Sequence, residues 1–298
     1  MPDSTVANHE NACKNHVEIV AELGGNVGSN YVMADSLVYN AHRAGADAVK
    51  VSLYTPEMMC PDSDAPEFQI SEGLWKGQTL YRLYQKAAMP IEFVPRLKEL
   101  AESLGLGFIC GLYHPEGVRI AESFGIERYK VASFELGWKN LLETLAETGK
   151  PVILSCGVAT PNEIEAGVEI FRRKNVTPVL LKCTSQYPAR PDQMHLATLP
   201  DMKARFGCPV GLSDHSANPL IPALAATLGA SLVEVHIKSS RDDDGLDASF
   251  SLDPGHFKQM VQAVRTAEAA QGCVSYEPSS TKYKRRFVEG LGWVRTVN

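Results

Sequence analysis

The chain has 298 residues, of which 44% are hydrophobic and 21% charged, a composition that supports a sizeable globular core. Its formal net charge of −6 and the lack of a long Lys/Arg block argue against a nucleic-acid footprint, and no apolar run approaches the ~20 residues that a membrane-spanning helix needs. Seven cysteines without CxxC spacing read as small buried hydrophobes of a reducing, cytoplasmic compartment.

Residues 1–15 are polar and lack an apolar h-region, so a disordered tail is expected there rather than a signal peptide. From His16 onward short apolar runs alternate with amphipathic segments of helical period. Strands are expected over 16–23, 48–54, 107–113, 128–133, 151–157, 178–185, 209–216 and 231–237. Helices are expected over 32–44, 91–104, 115–124, 140–148, 161–174, 194–205 and 219–228, with a last one over 254–270. Thr160 before Pro161, and Asp253 before Pro254, place a capping residue ahead of a proline at the first helical position. Gly45, Gly105, Gly125 and Gly149 follow helix ends, where a left-handed residue is wanted.

Eight strand–helix pairs in strict alternation imply an all-parallel sheet, and eight strands close a barrel. The expected fold is α/β, a (β/α)8 TIM barrel over 16–272, with 273–298 as a C-terminal extension. An open doubly wound sheet is the runner-up, but no GxGxxG turn follows an early strand. Segment 55–90 is too long for an ordinary βα loop and is expected to form a lid or substrate-binding excursion.

Chemistry in such barrels collects at the C-terminal strand ends. Those ends carry Glu22, Lys50, Lys130 with Ser133 and Glu135, Ser185 with Tyr187, Ser213 with Asp214 and His215, then His236. His215 and His236 lie one strand–helix repeat apart, which puts two imidazoles at the same end of neighbouring strands, within reach of one ion roughly 5 Å away. Lysines and hydroxyls suit a phosphate or carboxylate, while histidines with carboxylates suit a divalent metal. Lys50 ends the apolar run AGADAVK, where an unpaired ammonium is costly and an anion or carboxylate partner is expected. Asp242, Asp243 and Asp244 read as a solvated loop.

Several blocks then converge. AELGGN at Ala21–Asn26, AGADAVK, YKVASFE at Tyr129–Glu135, TGKPVILSCG, LLKCTSQYPA, VGLSDHS and DASFSLDP occur in the order in which the chain resembles the sialic acid synthase family, the phosphoenolpyruvate-condensing nonulosonate synthases. The segment WKGQTLYRLY from Trp75 is closer to the pseudaminic acid synthase branch than to the N-acetylneuraminate branch. The resemblance implies condensation of phosphoenolpyruvate with an aldose or other aldehyde, with release of phosphate. It implies His215 and His236 as ligands of manganese or magnesium, and Lys50, Lys130, Ser133, Ser185 and Ser213 as phosphoenolpyruvate contacts. Glu22 is implied as a catalytic carboxylate, and Glu135 and Asp247 as carboxylates near the metal that reach it directly or through water. Tyr187 is implied at the sugar, and a homodimer as the assembly.

The sequence departs from the family pattern at Val27 in place of histidine, at Cys110-Gly111 in place of Ser-Thr, and at Val51-Ser52 in place of a glutamine. An antifreeze-like domain, which in the family supplies an arginine to the sugar's N-acyl group, is expected to be absent. An altered acceptor, with N-acetylmannosamine a poor one, is the corresponding expectation. Segment 55–90, Tyr187 with Arg190, or the basic cluster 284–286 would then hold the sugar's far end, unless 284–286 is only an exposed basic turn. The alternative function is a catalytically reduced homologue that binds sugar or phosphate ligands or serves as a partner subunit.

Overall fold

The structure is a computed structural model and describes residues 16–276 and 283–297; the expected tail at 1–15 lies outside the described residues. Eight parallel strands close into a barrel in sequence order. They are β1 (Glu18–Glu22), β2 (Ala48–Leu53), β3 (Gly107–Leu112), β4 (Tyr129–Val131), β5 (Val152–Ser155), β6 (Val179–Cys183), β7 (Val210–Asp214) and β8 (Leu232–His236). β8 pairs back onto β1, with Glu22 level with His236. This is the (β/α)8 TIM barrel expected from the alternating pattern.

Side-chain alternation sorts each strand into a residue facing the outer helices and one facing the barrel axis. On the axis side Val20, Ala48, Ile109, Ile153, Leu181 and Leu232 form a closed apolar layer. Below it, at the N-terminal mouth, the guanidinium of Arg128 pairs with the carboxylate of Glu18, Nη2 donating to Oε2 at 2.7 Å. Two residues further along the strands, the same face carries Glu22, Lys50, Lys130, Ser155, Cys183, Ser213 and Glu234. Gly211 is required in the lower layer, because a Cβ there would lie 2.3 Å from Leu232 O and 2.7 Å from Leu181 Cδ2.

Helix starts follow the expected chemistry. Thr160 forms a full capping box with Glu163 ahead of helix Pro161–Arg172, and Asp253 Oδ1 accepts from Gly255 N and His256 N. Gly45, at φ +90°, ends helix Tyr31–Ala44 by donating its N–H to Ala41 and His42 carbonyls. Several boundaries move, two of them for a cause the backbone shows. The run 128–133 pairs only over Tyr129–Val131, because the chain turns out of the sheet where Glu135 N donates to Ala132 O at 3.3 Å. The helix expected from 194 begins instead at Thr198, after a 3-10 turn at Pro191–Gln193 and a left-handed His195 at φ +46°.

Segment 55–90 holds short helices at Pro56–Met59 and Leu80–Ala87, with a bridge from Gln69 to Thr79 between them. Residues 16–270 belong to one compact unit. In the second unit, β9 (Tyr283–Val288) and β10 (Gly292–Val297) form an antiparallel hairpin in which Phe287 is level with Trp293. Lys284, Arg285 and Arg286 are exposed on β9, a strand rather than the turn expected there. Cys110, Cys156, Cys183 and Cys208 are buried free thiols, but Cys273 is disulfide-bonded, which corrects the expectation of unpaired thiols at that position. Among the described residues no helix is long and apolar enough to cross a membrane.

Candidate active site

The strand ends open into a cavity of about 400 Å³. Of the residues expected there, Glu22, Lys50, Lys130, Ser133, Glu135, Tyr187, Ser213, His215, His236 and Asp247 all line it. Ser185 does not. Its hydroxyl lies beside Gly157, where a Cβ would come within 2.5 Å of Ser185 Oγ and 2.8 Å of Ser133 Oγ. One position the sequence reading missed is Ser155, whose buried hydroxyl lines the cavity and has no hydrogen-bond partner. Strand alternation from Ile153 was the signal that could have found it.

The floor is a four-charge cluster. Lys50 Nζ lies 2.6 Å from Glu22 Oε2 and 3.8 Å from Glu234 Oε1, and Lys130 Nζ lies 3.3 Å from the same Glu234 oxygen. Ser213 Oγ donates to that oxygen at 3.2 Å. Burial alone disfavours the Lys50 ammonium, but Glu22 and Glu234 outweigh it and hold its pKa above the ordinary lysine value. Burial also pushes both carboxyls up. Lys130 and Lys50 overcome this at Glu234, which falls to about 2. Glu22 stays raised, with Lys50 opposing burial and Glu234 reinforcing it. Two ammoniums thus face two carboxylates, and Glu22 is the group of the four that most readily takes a proton. Glu234, absent from the sequence-derived site, is its hub.

Above the floor the two imidazoles face each other, with ring centroids 5.3 Å apart. Phe250 packs edge-on to both, at 4.9 Å from His236 and 5.8 Å from His215, and Tyr187 lies 4.6 Å from His215. Burial disfavours a charged His215, but Cys183 Sγ at 3.9 Å and the Thr184 carbonyl at 3.2 Å from Nδ1 outweigh it and raise its pKa. The Thr184 contact places a proton on Nδ1. Burial, then His215, Lys50 and Lys130, hold His236 well below the ordinary histidine pKa, so it is a neutral imidazole. Its buried Nδ1 makes no hydrogen bond, with Asp247 Oδ2 at 3.5 Å.

A neutral His236 with a buried, unpartnered Nδ1, its ring 5.3 Å from that of His215, fits a divalent cation that completes its shell with oxygen. Among the described residues no three His, Cys, Asp or Glu side chains are grouped to hold a metal ion. Glu135 and Asp247 both line the cavity with the two imidazoles. Asp247 Oδ2 stands 3.5 Å from that same His236 nitrogen, so its carboxylate borders the space an ion there would take.

Glu135 sits at the side of the cavity, its Oε2 shut off from solvent without a hydrogen-bond partner. Burial raises its pKa despite its own backbone N–H and Lys130. Burial raises Asp247 likewise, against the Gly25 N–H that hydrogen-bonds it. Carboxyls held above their ordinary range in a cavity are suited to proton transfer. Asp242 and Asp244 are exposed as expected, whereas Asp243 accepts from the Ser239 and Gly245 N–H groups and shapes the loop.

The upper walls come from segment 55–90: Met59, Ile70, Trp75, Leu80, Tyr84 and Met89 line the cavity, and Trp75 reaches Tyr187 at 6.0 Å between centroids. Arg190 is exposed and paired with Asp192, outside the lining.

The sequence profile of the NeuB family matches residues 37–276. The chain belongs to the NeuB family. Pseudaminic acid synthase of Campylobacter jejuni is 40% identical over 257 residues, which cover 86% of this chain and 75% of that protein. The pseudaminic acid synthase of Helicobacter pylori is 38% identical over 274 residues, covering 91% of this chain and 80% of that one. The crystal structure of N-acetylneuraminic acid synthetase from Leptospira borgpetersenii, in complex with citrate, has a TM-score of 0.80 at 29% identity over 90% of each chain. This NeuB-family barrel keeps its polar residues on the axis side of the strands, with segment 55–90 over them.

Proposed function

We propose that this NeuB-family enzyme joins phosphoenolpyruvate to an aldose through a new carbon–carbon bond, giving a nonulosonic acid of the pseudaminic type and inorganic phosphate. One observation carries the reading: a floor of Lys50, Lys130, Ser133, Ser155 and Ser213 lies beneath a facing imidazole pair in a single cavity. The two pseudaminic acid synthases at 40% and 38% identity support the product type.

In this reading the lysines and hydroxyls hold the phosphate and carboxylate of phosphoenolpyruvate. The floor is neutral before the anion arrives. Protonation of Glu22, whose pKa is already raised by burial, leaves a net positive charge to meet it. Lewis-acid polarisation of the aldehyde oxygen is what a manganese or magnesium ion held by His215 and His236 supplies when bound.

The enol carbon C3 forms the new bond to the aldehyde carbon, whose oxygen takes a proton. Positive character at C2 then draws in water, and the water proton passes to Glu135 Oε2. The C2–O bond to phosphate then breaks, the C2 hydroxyl proton leaves with the phosphate, and the 2-oxo acid remains. The proton taken by Glu135 balances the one gained by the aldehyde oxygen. Lys50 and Lys130 stabilise the charge that gathers on the departing phosphate. Glu22 and Asp247, near the reacting end of the acceptor, orient its hydroxyls.

The acceptor site is apolar and aromatic, with Met59, Ile70, Trp75, Leu80 and Met89 in its walls. Such walls favour a sugar that offers methyl or acyl surface over one with a full set of hydroxyls. The catalytically reduced alternative gains no support from the site, because Glu22, Lys50, Lys130, Glu135, His215, His236 and Asp247 all face one cavity.

The test is phosphate release with phosphoenolpyruvate, manganese and a panel of aldoses that includes N-acetylmannosamine, followed by the product mass. A product heavier than the aldose by the pyruvate unit is expected. Failure of the chain to bind phosphoenolpyruvate in calorimetry, together with no phosphate release from any aldose, would sink the reading. Lys130→Ala is expected to weaken phosphoenolpyruvate binding by about one to two decades, since a charge-assisted contact is worth about 1.5–3 kcal/mol. Wild-type affinity in that variant would move the anion elsewhere.

A further inference from the structure

Asp247 belongs to the loop after β8 and not to a strand, so its carboxylate is placed only as well as that loop is held. The turn leaving β1 holds it. Asn26 is 5% exposed. Its Nδ2 donates to Ile237 O at 3.0 Å and to Ser251 Oγ at 2.9 Å, and its Oδ1 accepts from Asp247 N at 3.2 Å. Ser251 Oγ donates in turn to Asp247 O at 2.7 Å. The Asp247 peptide groups are thus fixed on both sides, one by each partner.

The residues before Asn26 complete the seat. Gly25 N donates to Asp247 Oδ2 at 2.7 Å, and Gly24 N to Glu22 Oε1 at 2.9 Å, so successive amides hold the two carboxylates. Gly24 has φ +50°, and a Cβ on it would lie 2.3 Å from Asp247 Oδ2 and 2.9 Å from His236 Nδ1. Only a bare backbone fits between them. A Cβ on Gly245 would lie 2.6 Å from Asn26 Oδ1, so the loop packs against the amide with no room to spare.

We propose that Asn26 is a positioning residue of this active site: with Ser251 it locks the Asp247 loop onto the end of β8, and thereby sets the Asp247 carboxylate against His236. The role needs an amide. An aspartate of the same shape accepts from Asp247 N but has nothing to donate to Ile237 O or Ser251 Oγ. Asn26 itself is not among the residues lining the cavity, so it acts through Asp247 and not on substrate. The inference rests on the functional reading above for the ligands that test it.

The experiment compares the wild-type chain with Asn26→Asp and Ser251→Ala. It measures manganese binding by electron paramagnetic resonance, phosphoenolpyruvate affinity by calorimetry, and kcat with the aldose the wild type turns over. Groups that orient metal ligands typically contribute 10–100-fold, so Asn26→Asp is expected to lose about that much in kcat and in manganese affinity. Phosphoenolpyruvate affinity is expected to stay at the wild-type value, and Ser251→Ala to shift the same two quantities less. Should Asn26→Asp fail to fold, Ser251→Ala carries the same readouts. Phosphoenolpyruvate affinity falling in step with kcat would reduce Asn26 to a structural residue and overturn the inference. So would wild-type manganese affinity and kcat in both variants. A wild type that neither binds manganese nor turns over any aldose overturns the functional reading, and the inference with it.

Discussion

Glu135→Gln is expected to lower kcat by about two to four decades, the usual contribution of a general base, while raising the melting temperature. The two effects share one cause. Glu135 Oε2 is buried without a hydrogen-bond partner, and burial raises the pKa of the group. For a carboxyl whose folded pKa lies above its unfolded one, the folded state binds the proton more tightly. Stability is then greatest below the unfolded value, near 4.5, and falls as pH rises through the raised one. Once ionised, the carboxylate strains the fold, and a neutral amide removes the strain and the base together. The acid limb of kcat in the wild type should sit above the ordinary glutamate range, because protonating Glu135 silences it. Steady-state kinetics across pH and thermal melts of both proteins check this. A Gln variant that is both less stable and fully active would remove Glu135 from the mechanism.

Lys50→Met is expected to cost about 3–5 kcal/mol of stability, and Glu22→Gln introduced into the same chain to return most of it. Lys50 and Glu22 have side chains only 3% exposed with Nζ and Oε2 2.6 Å apart, so removing one partner strands a buried charge, and removing both does not. Because the Lys50 pKa is raised in the folded state, its contribution is present below the unfolded lysine value and is lost only as pH rises through the raised one. The window lies beyond the alkaline end of ordinary assays. Urea unfolding of the two single variants and the double gives the coupling energy. Additive losses would mean that the two groups are independent and that the floor is not a coupled charge cluster.

The barrel was legible because its strands obey a simple rule. Runs such as Val152–Ser155 and Leu232–His236 are apolar on both faces except where they reach the cavity, so strand count and polar ends could be read together. Lys50, Lys130, His215 and His236 stood out as expensive residues in apolar runs. Ser155 and Glu234 obey the same alternation, but a serine is cheap to bury and signals little. Glu234 becomes conspicuous only when the barrel closes and sets it between Lys50 and Lys130, one contributed by β2 and the other by β4. Ser185 shows the converse: its position beyond β6 looks like a strand end in sequence, yet past Cys183 the chain has left the sheet and its hydroxyl points beside Gly157. Asn26 carries no chemistry of its own. Its three hydrogen bonds join residues more than two hundred positions apart, a distance over which local patterning is silent.

The apolar layer of Val20, Ala48, Ile109, Ile153, Leu181 and Leu232, backed by the Arg128–Glu18 pair, makes the cavity a shaft with one open end. Traffic through such a shaft has an order built into it. On the proposed function, whatever rests on Lys50 and Lys130 would go in first, because a sugar seated against Trp75 and Tyr187 would stand in its way. The same geometry would reverse on the way out, with phosphate freed at the bottom held behind the larger product. The seal at the far mouth, which touches no substrate, is thereby what turns a two-substrate reaction into a queue.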